Sequence, residues 1–257
     1  MTGGRLSALA RSAALFRKTD GRPAPLAEAA VLVVVILFFA RIHAAVGTDA
    51  AVATANALAL QSVERALHVD IALAANQWLT GNPGFIQPAV YYYRLYYLAI
   101  IGALVWVYLR RPAVYLKVRR TLVAMALLVL PVYWAVPMSP PRFALPGIVD
   151  IIAEHDILGG AASRAAGTSY SAMPSMHVGW SLWCGYAVWI ALRGTHPRLA
   201  LLAWVFPLGM VGVVLVTGNH YVLDIAGSFL LLGASIGVVW AWERLSERVI
   251  RPRPGVP

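Results

Sequence analysis

The chain has 257 residues, of which 60% are hydrophobic and 12% charged, with a mean hydropathy of +0.70. That balance excludes a soluble core and describes one polytopic membrane domain. The net charge of +10 invites nucleic acid as a partner. The Lys and Arg, however, sit in short segments that flank apolar runs, as membrane topology requires, so no nucleic acid is expected.

Residues 1–25 carry Arg5, Arg11, Arg17, Lys18 and Arg22 and read as a cytoplasmic basic arm. Residues 26–46 form the first span. A cleaved signal peptide is the rival, disfavoured because the apolar stretch is too long and Arg41 and His43 interrupt the cleavage zone. Residues 48–82 are mixed and read as interfacial helices. Glu64 and His68 stand four apart there, which describes a solvated helix face.

Residues 85–109 form the second span and contain the run YYYRLYY at 91–97. Tyrosines favour the membrane–water interface. Arg94 falls part-way into the span, so it either snorkels to the surface or helps bind an anionic headgroup, with Tyr93 and Tyr97 beside it. Arg110, Arg111, Lys117, Arg119 and Arg120 make a basic loop, and residues 121–137 form the third span.

Residues 138–173 form a long loop that opens with MSPPRFALPG. Asp150, Glu154, His155 and Asp156 follow on an amphipathic helix but lack a recognised metal-ligand spacing, so no metal is expected. Residues 174–193, 199–216 and 221–242 form spans four, five and six, and residues 244–257 a basic tail. Cys184 is the single cysteine and lies in an apolar helix, which excludes an intramolecular disulfide.

The expected fold class is therefore all-α, with six transmembrane helices in a catalytic membrane domain over 26–243 and interfacial helices between them. The basic arm, the 110–120 loop, Arg193 and Arg198, and the tail form one set of charged segments. Only Arg65, Arg142 and Arg164 occupy the alternate loops. The positive-inside rule then puts both termini in the cytoplasm of a cell-membrane protein.

Two polar islands interrupt the apolar runs. In TGNHYVLDIAGS, residues 217–228, His220 and Asp224 stack on one helix face, where the aspartate can hold one imidazole nitrogen and leave the other basic. Gly218, Ala226, Gly227 and Ser228 let other backbone approach. In SAMPSMH, residues 171–177, Ser175 can cap a helix that Pro174 introduces, with His177 in its first turn. Two helix N-termini that each present a histidine look like two halves of one phosphate site. The expected topology puts His177, His220 and Arg142 together at the extracytoplasmic ends of spans four, six and three.

SAMPSMH resembles the PSxH motif of the type 2 phosphatidic acid phosphatase (PAP2) superfamily, and GNHYVLDIAG resembles its third motif. PPR at 140–142 is similar to the reduced first motif of the branch that includes inositol phosphorylceramide synthase. The phosphatase members have an Arg six residues before the third-motif His; here Val214 stands there, and the first motif's Lys has no counterpart. Both departures fit the inositolphosphotransferase-like branch.

The resemblance implies a PAP2-like bundle with His220 as nucleophile, a phosphohistidine intermediate, Asp224 orienting His220, and His177 as proton donor. Arg142, Ser175, Gly218 and Asn219 would bind phosphate, and Arg94, Tyr93, Tyr97 and Arg164 a headgroup. It implies no cofactor. The expected activity is transfer from a lipid or polyprenyl phosphate to a polyol acceptor, or to water in a simple phosphatase. A proton-coupled transporter would spread its polar residues through the spans, and a haem protein would use His177 and His220 as axial ligands.

Overall fold

The computed structural model describes residues 22–46, 49–155 and 170–250. Among these residues the chain is helical, with one isolated bridge between Met138 and Ser171 and no strand.

α1 (Pro25–Ala45) opens on a proline, whose missing N–H is no loss at a helix start. α2 (Ala50–Ala66) is capped by Asp49, whose carboxylate accepts from the amides of Ala51 and Val52 at 3.0 and 3.1 Å. α3 (Ala72–Thr80) follows, and a 3₁₀ turn (Pro83–Phe85) leads into α4 (Ile86–Arg110). α5 (Pro112–Ala135) again opens on a proline. Two short helices, α6 (Pro141–Ala144) and α7 (Ile151–His155), interrupt the long loop. The last four are α8 (Met176–Leu192), α9 (Pro197–Leu202), α10 (Val205–Val216) and α11 (Val222–Ile250).

Four helical segments among the described residues are long and apolar enough to cross a membrane: Pro25–Ala45, Pro83–Arg110, Pro197–Val216 and Val222–Arg248. The segments expected as the other two spans are helical, as α5 and α8, with 24 and 17 residues, but neither is among those four. At 1.5 Å per residue α8 reaches about 26 Å, short of a hydrocarbon core of about 30 Å. It sits at the centre instead, against α4, α5, α10 and α11, and it is buried on nearly every face.

The expected basic loop at 110–120 is largely helical, because Pro112 starts α5 early. Its charges are used in packing. Arg119 Nη1 meets Glu28 Oε2 at 2.7 Å, and Tyr115 donates to Glu28 Oε1 at 2.8 Å, which ties α5 to α1. Lys117 pairs with Glu243 at 2.9 Å, which ties α5 to α11. The expected tail is helical to Ile250.

Glu64 is not on a solvated face: it is fully buried. The pairing with His68 fails because the helix ends at Ala66 and His68 adopts φ 57°. Its Oε1 instead accepts the Leu223 amide at 2.7 Å and so caps α11 from another helix.

Candidate active site

Two helix starts meet at the site. α8 begins after Ser175, whose Oγ accepts the Val178 amide at 3.3 Å. α11 begins at Val222, two residues after His220, and Asp224 in its first turn folds back to accept the Tyr221 amide at 3.0 Å. The two starts are joined directly: the Ser175 amide donates to the Asp224 carbonyl at 3.2 Å, and Ser228 Oγ donates to the Ser175 carbonyl at 2.7 Å. Gly227 makes this possible, since a Cβ there would lie 3.2 Å from the Pro174 ring.

His220 Nδ1 lies 3.3 Å from Asp224 Oδ2, with both side chains buried. That leaves Nε2 of His220 for the cavity it lines. Asp224 Oδ1 is buried with no hydrogen-bond partner. The His177 ring is centred 5.8 Å from that of His220. It stacks on Tyr93 at 4.1 Å and meets the edge of Tyr96 at 4.8 Å. Its ring nitrogens make no hydrogen bond to the described residues. Two tyrosines thus set its plane without using its proton.

Arg142 is held from two sides. Its Nε meets Asp150 Oδ2 at 3.0 Å, and Nη1 donates to Asn219 Oδ1. Its backbone amide donates to the Gly218 carbonyl at 3.0 Å. Asn219 is fixed in turn by donating to Thr217 Oγ1 at 2.8 Å. Asp150, read from sequence as part of a loose acidic cluster, therefore orients the guanidinium. Among the described residues no group of three His, Cys, Asp or Glu stands close enough to hold a metal ion.

A further polar residue unites the two loops. Asn76 of α3 is fully buried, accepts the Val149 amide at 2.8 Å, and donates to the carbonyls of Val149 and Val216 at 3.0 and 3.1 Å. It pins the segment that bears Asp150 against the end of α10. Gly218, at φ 71°, fits between them: a Cβ there would lie 2.5 Å from Ile148 Cγ2.

Arg142, His177, Asn219 and His220 open into one cavity of about 700 Å³. The cavity continues between α1, α4 and α5 past Leu32, Ile100, Leu104 and Leu122, and that part is apolar. Tyr93 and Tyr97 also line it. Ser175 and Gly218 stand behind its wall, as helix cap and turn. Arg94 is not among the lining residues; its guanidinium lies 5.9 Å from the Tyr93 ring centre. Arg164 and Asp156 lie outside the described residues. Asn76, Glu64 and Asp150 were not read as site residues from sequence, and neither was His43, which lines the cavity. The only sequence signal was a polar residue in an apolar run.

Val214, in place of the arginine that the PAP2 phosphatases carry, is fully buried in the core, and its carbonyl accepts the Asn219 and His220 amides. No curated protein and no solved structure matches the chain. The family model described as the PAP2 superfamily matches residues 58–238, from within α2 to within α11. The chain therefore belongs to the PAP2 superfamily of membrane phosphatases and phosphotransferases.

Proposed function

We propose that the protein transfers the phosphoryl group, or the phospho-headgroup, of a lipid-linked phosphate through a phosphohistidine on His220. The observation that carries this is the shared cavity: a His–Asp dyad, a second histidine and a guanidinium at one end, and an apolar chamber at the other. That is the shape of a lipid phosphate, polar head and long chain.

In the first step the Nε2 lone pair of His220 attacks phosphorus in line, and the P–O bond to the organic group breaks. The bond electrons leave with that oxygen, and His177 supplies its proton. Asp224 holds Nδ1–H and balances the charge that the ring acquires. Arg142, with the Met176 and His177 amides at the start of α8, bears the phosphoryl oxygens. In the second step an alcohol or water attacks phosphorus, its proton passes to His177, and the P–N bond breaks. Metal-free transfer suffices when a guanidinium and a helix terminus carry the positive charge.

A polyol is the proposed acceptor, because the first and third motifs resemble the inositolphosphotransferase-like branch. The proposed topology has six spans and cytoplasmic termini, with the site on the extracytoplasmic face. Reporter fusions after Arg111 and Arg193 should then read cytoplasmic.

The deciding experiment incubates purified protein with radiolabelled lipid and polyprenyl phosphates, with and without inositol or glycerol. Label in a phosphorylated polyol supports transfer, and label in free phosphate alone supports the phosphatase reading. No label in either product overturns both.

A further inference from the structure

Besides its catalytic end, the cavity has a second polar point on an otherwise apolar wall. His43 of α1 lines it, with Ser171 beside it. His43 Nε2 lies 3.0 Å from Ser171 Oγ. The ring stacks on Phe39 with centres 5.5 Å apart, and meets Tyr133 edge-on at 5.4 Å. Its Nδ1 makes no hydrogen bond to the described residues.

The surroundings of His43 tie it to the catalytic end. Tyr133 donates to the Pro174 carbonyl at 3.1 Å, so one ring separates His43 from the segment that starts α8. Ser171 is held in place through Met138: the Met138 amide donates to the Tyr170 carbonyl at 2.8 Å and the Ala172 amide to the Met138 carbonyl at 3.1 Å. Met138 and Pro140 lead directly to Arg142.

Anchoring α1 does not require this histidine, because Glu28 already ties the helix to Tyr115 and Arg119. His43 sits in the last turn of α1, half-buried, and its ring is a fixed part of the cavity wall. With Nε2 engaged by Ser171, Nδ1 is left to donate or to accept one hydrogen bond, and a hydroxyl can meet it in either sense, whereas an anion is better served by Arg142.

We propose that His43 is a specificity-determining residue that hydrogen-bonds a hydroxyl group entering the cavity. The hydroxyl belongs either to the organic part of the phosphate donor or to the acceptor alcohol. The proposal rests on the reading of the cavity as the lipid phosphate site. It adds that the substrate is gripped at two points, phosphate at Arg142 and hydroxyl at His43. A site built to bond a hydroxyl discriminates against the analogue that lacks it, since its own polar group is then left unpaired.

The test compares wild type with His43→Phe, which keeps the stack on Phe39, and His43→Gln, which keeps hydrogen-bonding atoms. One arm measures kcat/KM on lysophosphatidic acid, which has a free hydroxyl, and on an alkyl phosphate of equal chain length, which has none. A second arm measures partition between glycerol and water with the alkyl phosphate as donor. A donor hydroxyl predicts that His43→Phe lowers the lysophosphatidic acid to alkyl phosphate ratio about tenfold, the worth of one neutral hydrogen bond. An acceptor hydroxyl predicts that the same variant lowers the glycerol share and leaves the donor ratio in place. His43→Gln should recover part of either loss. Equal losses on both donors with unchanged partition, or no change in either arm, overturn the proposal. Wild-type protein that turns over no lipid phosphate overturns the functional reading instead. The inference is then tested alone, by binding of a monoacylglycerol against the alkane of equal length. A preference for the alcohol that His43→Phe abolishes supports it, and equal binding by both proteins overturns it.

Discussion

Glu64 Oε1 accepts the Leu223 amide at 2.7 Å across 159 positions of sequence, while its Oε2 is buried with no hydrogen-bond partner. Burial, with Asp224 nearby as the lesser cause, pushes the Glu64 carboxyl above its usual range. Glu64→Gln keeps the acceptor and removes the buried charge. Glu64→Ala orphans an N–H at the start of α11 and should cost about 1–3 kcal/mol. The sign of the pH effect follows from the direction of the shift. A raised folded-state pKa gives stability that is complete below the unfolded value and is lost as pH rises through the folded one. Thermal unfolding in detergent should therefore show Glu64→Gln gaining on wild type as pH is raised from mildly acidic to neutral. A constant difference across that window would mean that the carboxyl does not change protonation there.

Gly218 is a second point of strain relief. Gly218→Ala puts a Cβ into Ile148 and forces a left-handed φ on a residue that resists it. The φ strain alone is of order 1–3 kcal/mol. Asn219 and His220 follow directly, so activity should fall more than stability. Adding Ile148→Ala removes the clash but not the strain, so the double variant should recover only part of the turnover. Full recovery would show that sterics alone set the position.

Arg142→Lys keeps the charge and loses the fork that meets Asp150 and Asn219 together. Activity should drop about 10²–10³-fold, as when a preorganised donor is lost. Asp150→Asn should raise KM more than it lowers kcat, because the guanidinium stays but is less firmly aimed. Near-normal turnover by Arg142→Lys would transfer the phosphate to another cation, Arg94 or Arg164.

The two histidines should separate by leaving group. With His220 as the proposed nucleophile, His220→Ala should abolish turnover of every substrate. His177→Ala should lose about 10²–10⁴-fold on an alkyl phosphate, whose alkoxide needs a proton. It should lose far less on p-nitrophenyl phosphate, and it should still accumulate acid-labile phosphoenzyme. Asp224→Asn should fall between them. Phosphoenzyme trapped on His220→Ala, or equal His177→Ala losses on both leaving groups, would overturn the roles.

Some of this site was legible because its logic is local. His220 and Asp224 sit one helical turn apart, and Ser175 stands next to the helix it caps, so spacing alone implied the contacts. Arg142 was legible through the motif it resembles. Asn76 and Glu64 were not, because their partners lie 73 to 159 residues away and nothing local announces them. The Glu64–His68 spacing even misled, since i,i+4 reasoning assumes a continuous helix and this one ends between them. The charges of 110–120 suggested a loop because basic residues mark topology, yet a helix can carry them when Glu28 and Glu243 take up the charge. Ser175 and Gly218 lay in the right motifs, but motif membership does not say which side chains face the cavity.

α1 bounds one side of the cavity with a single layer of backbone. Ile36 lines the chamber, and the neighbouring Val33, Val34, Leu37 and Phe38, which do not line it, are exposed. One helix diameter, about 10 Å, therefore separates a bound chain from the surrounding lipid. With a lipid phosphate as the proposed substrate, such a chamber would draw on the two-dimensional pool of its leaflet rather than on the aqueous phase. Kinetic constants for this protein should then scale with the mole fraction of substrate in a mixed micelle. Diluting the surface with inert detergent at fixed bulk concentration should slow turnover.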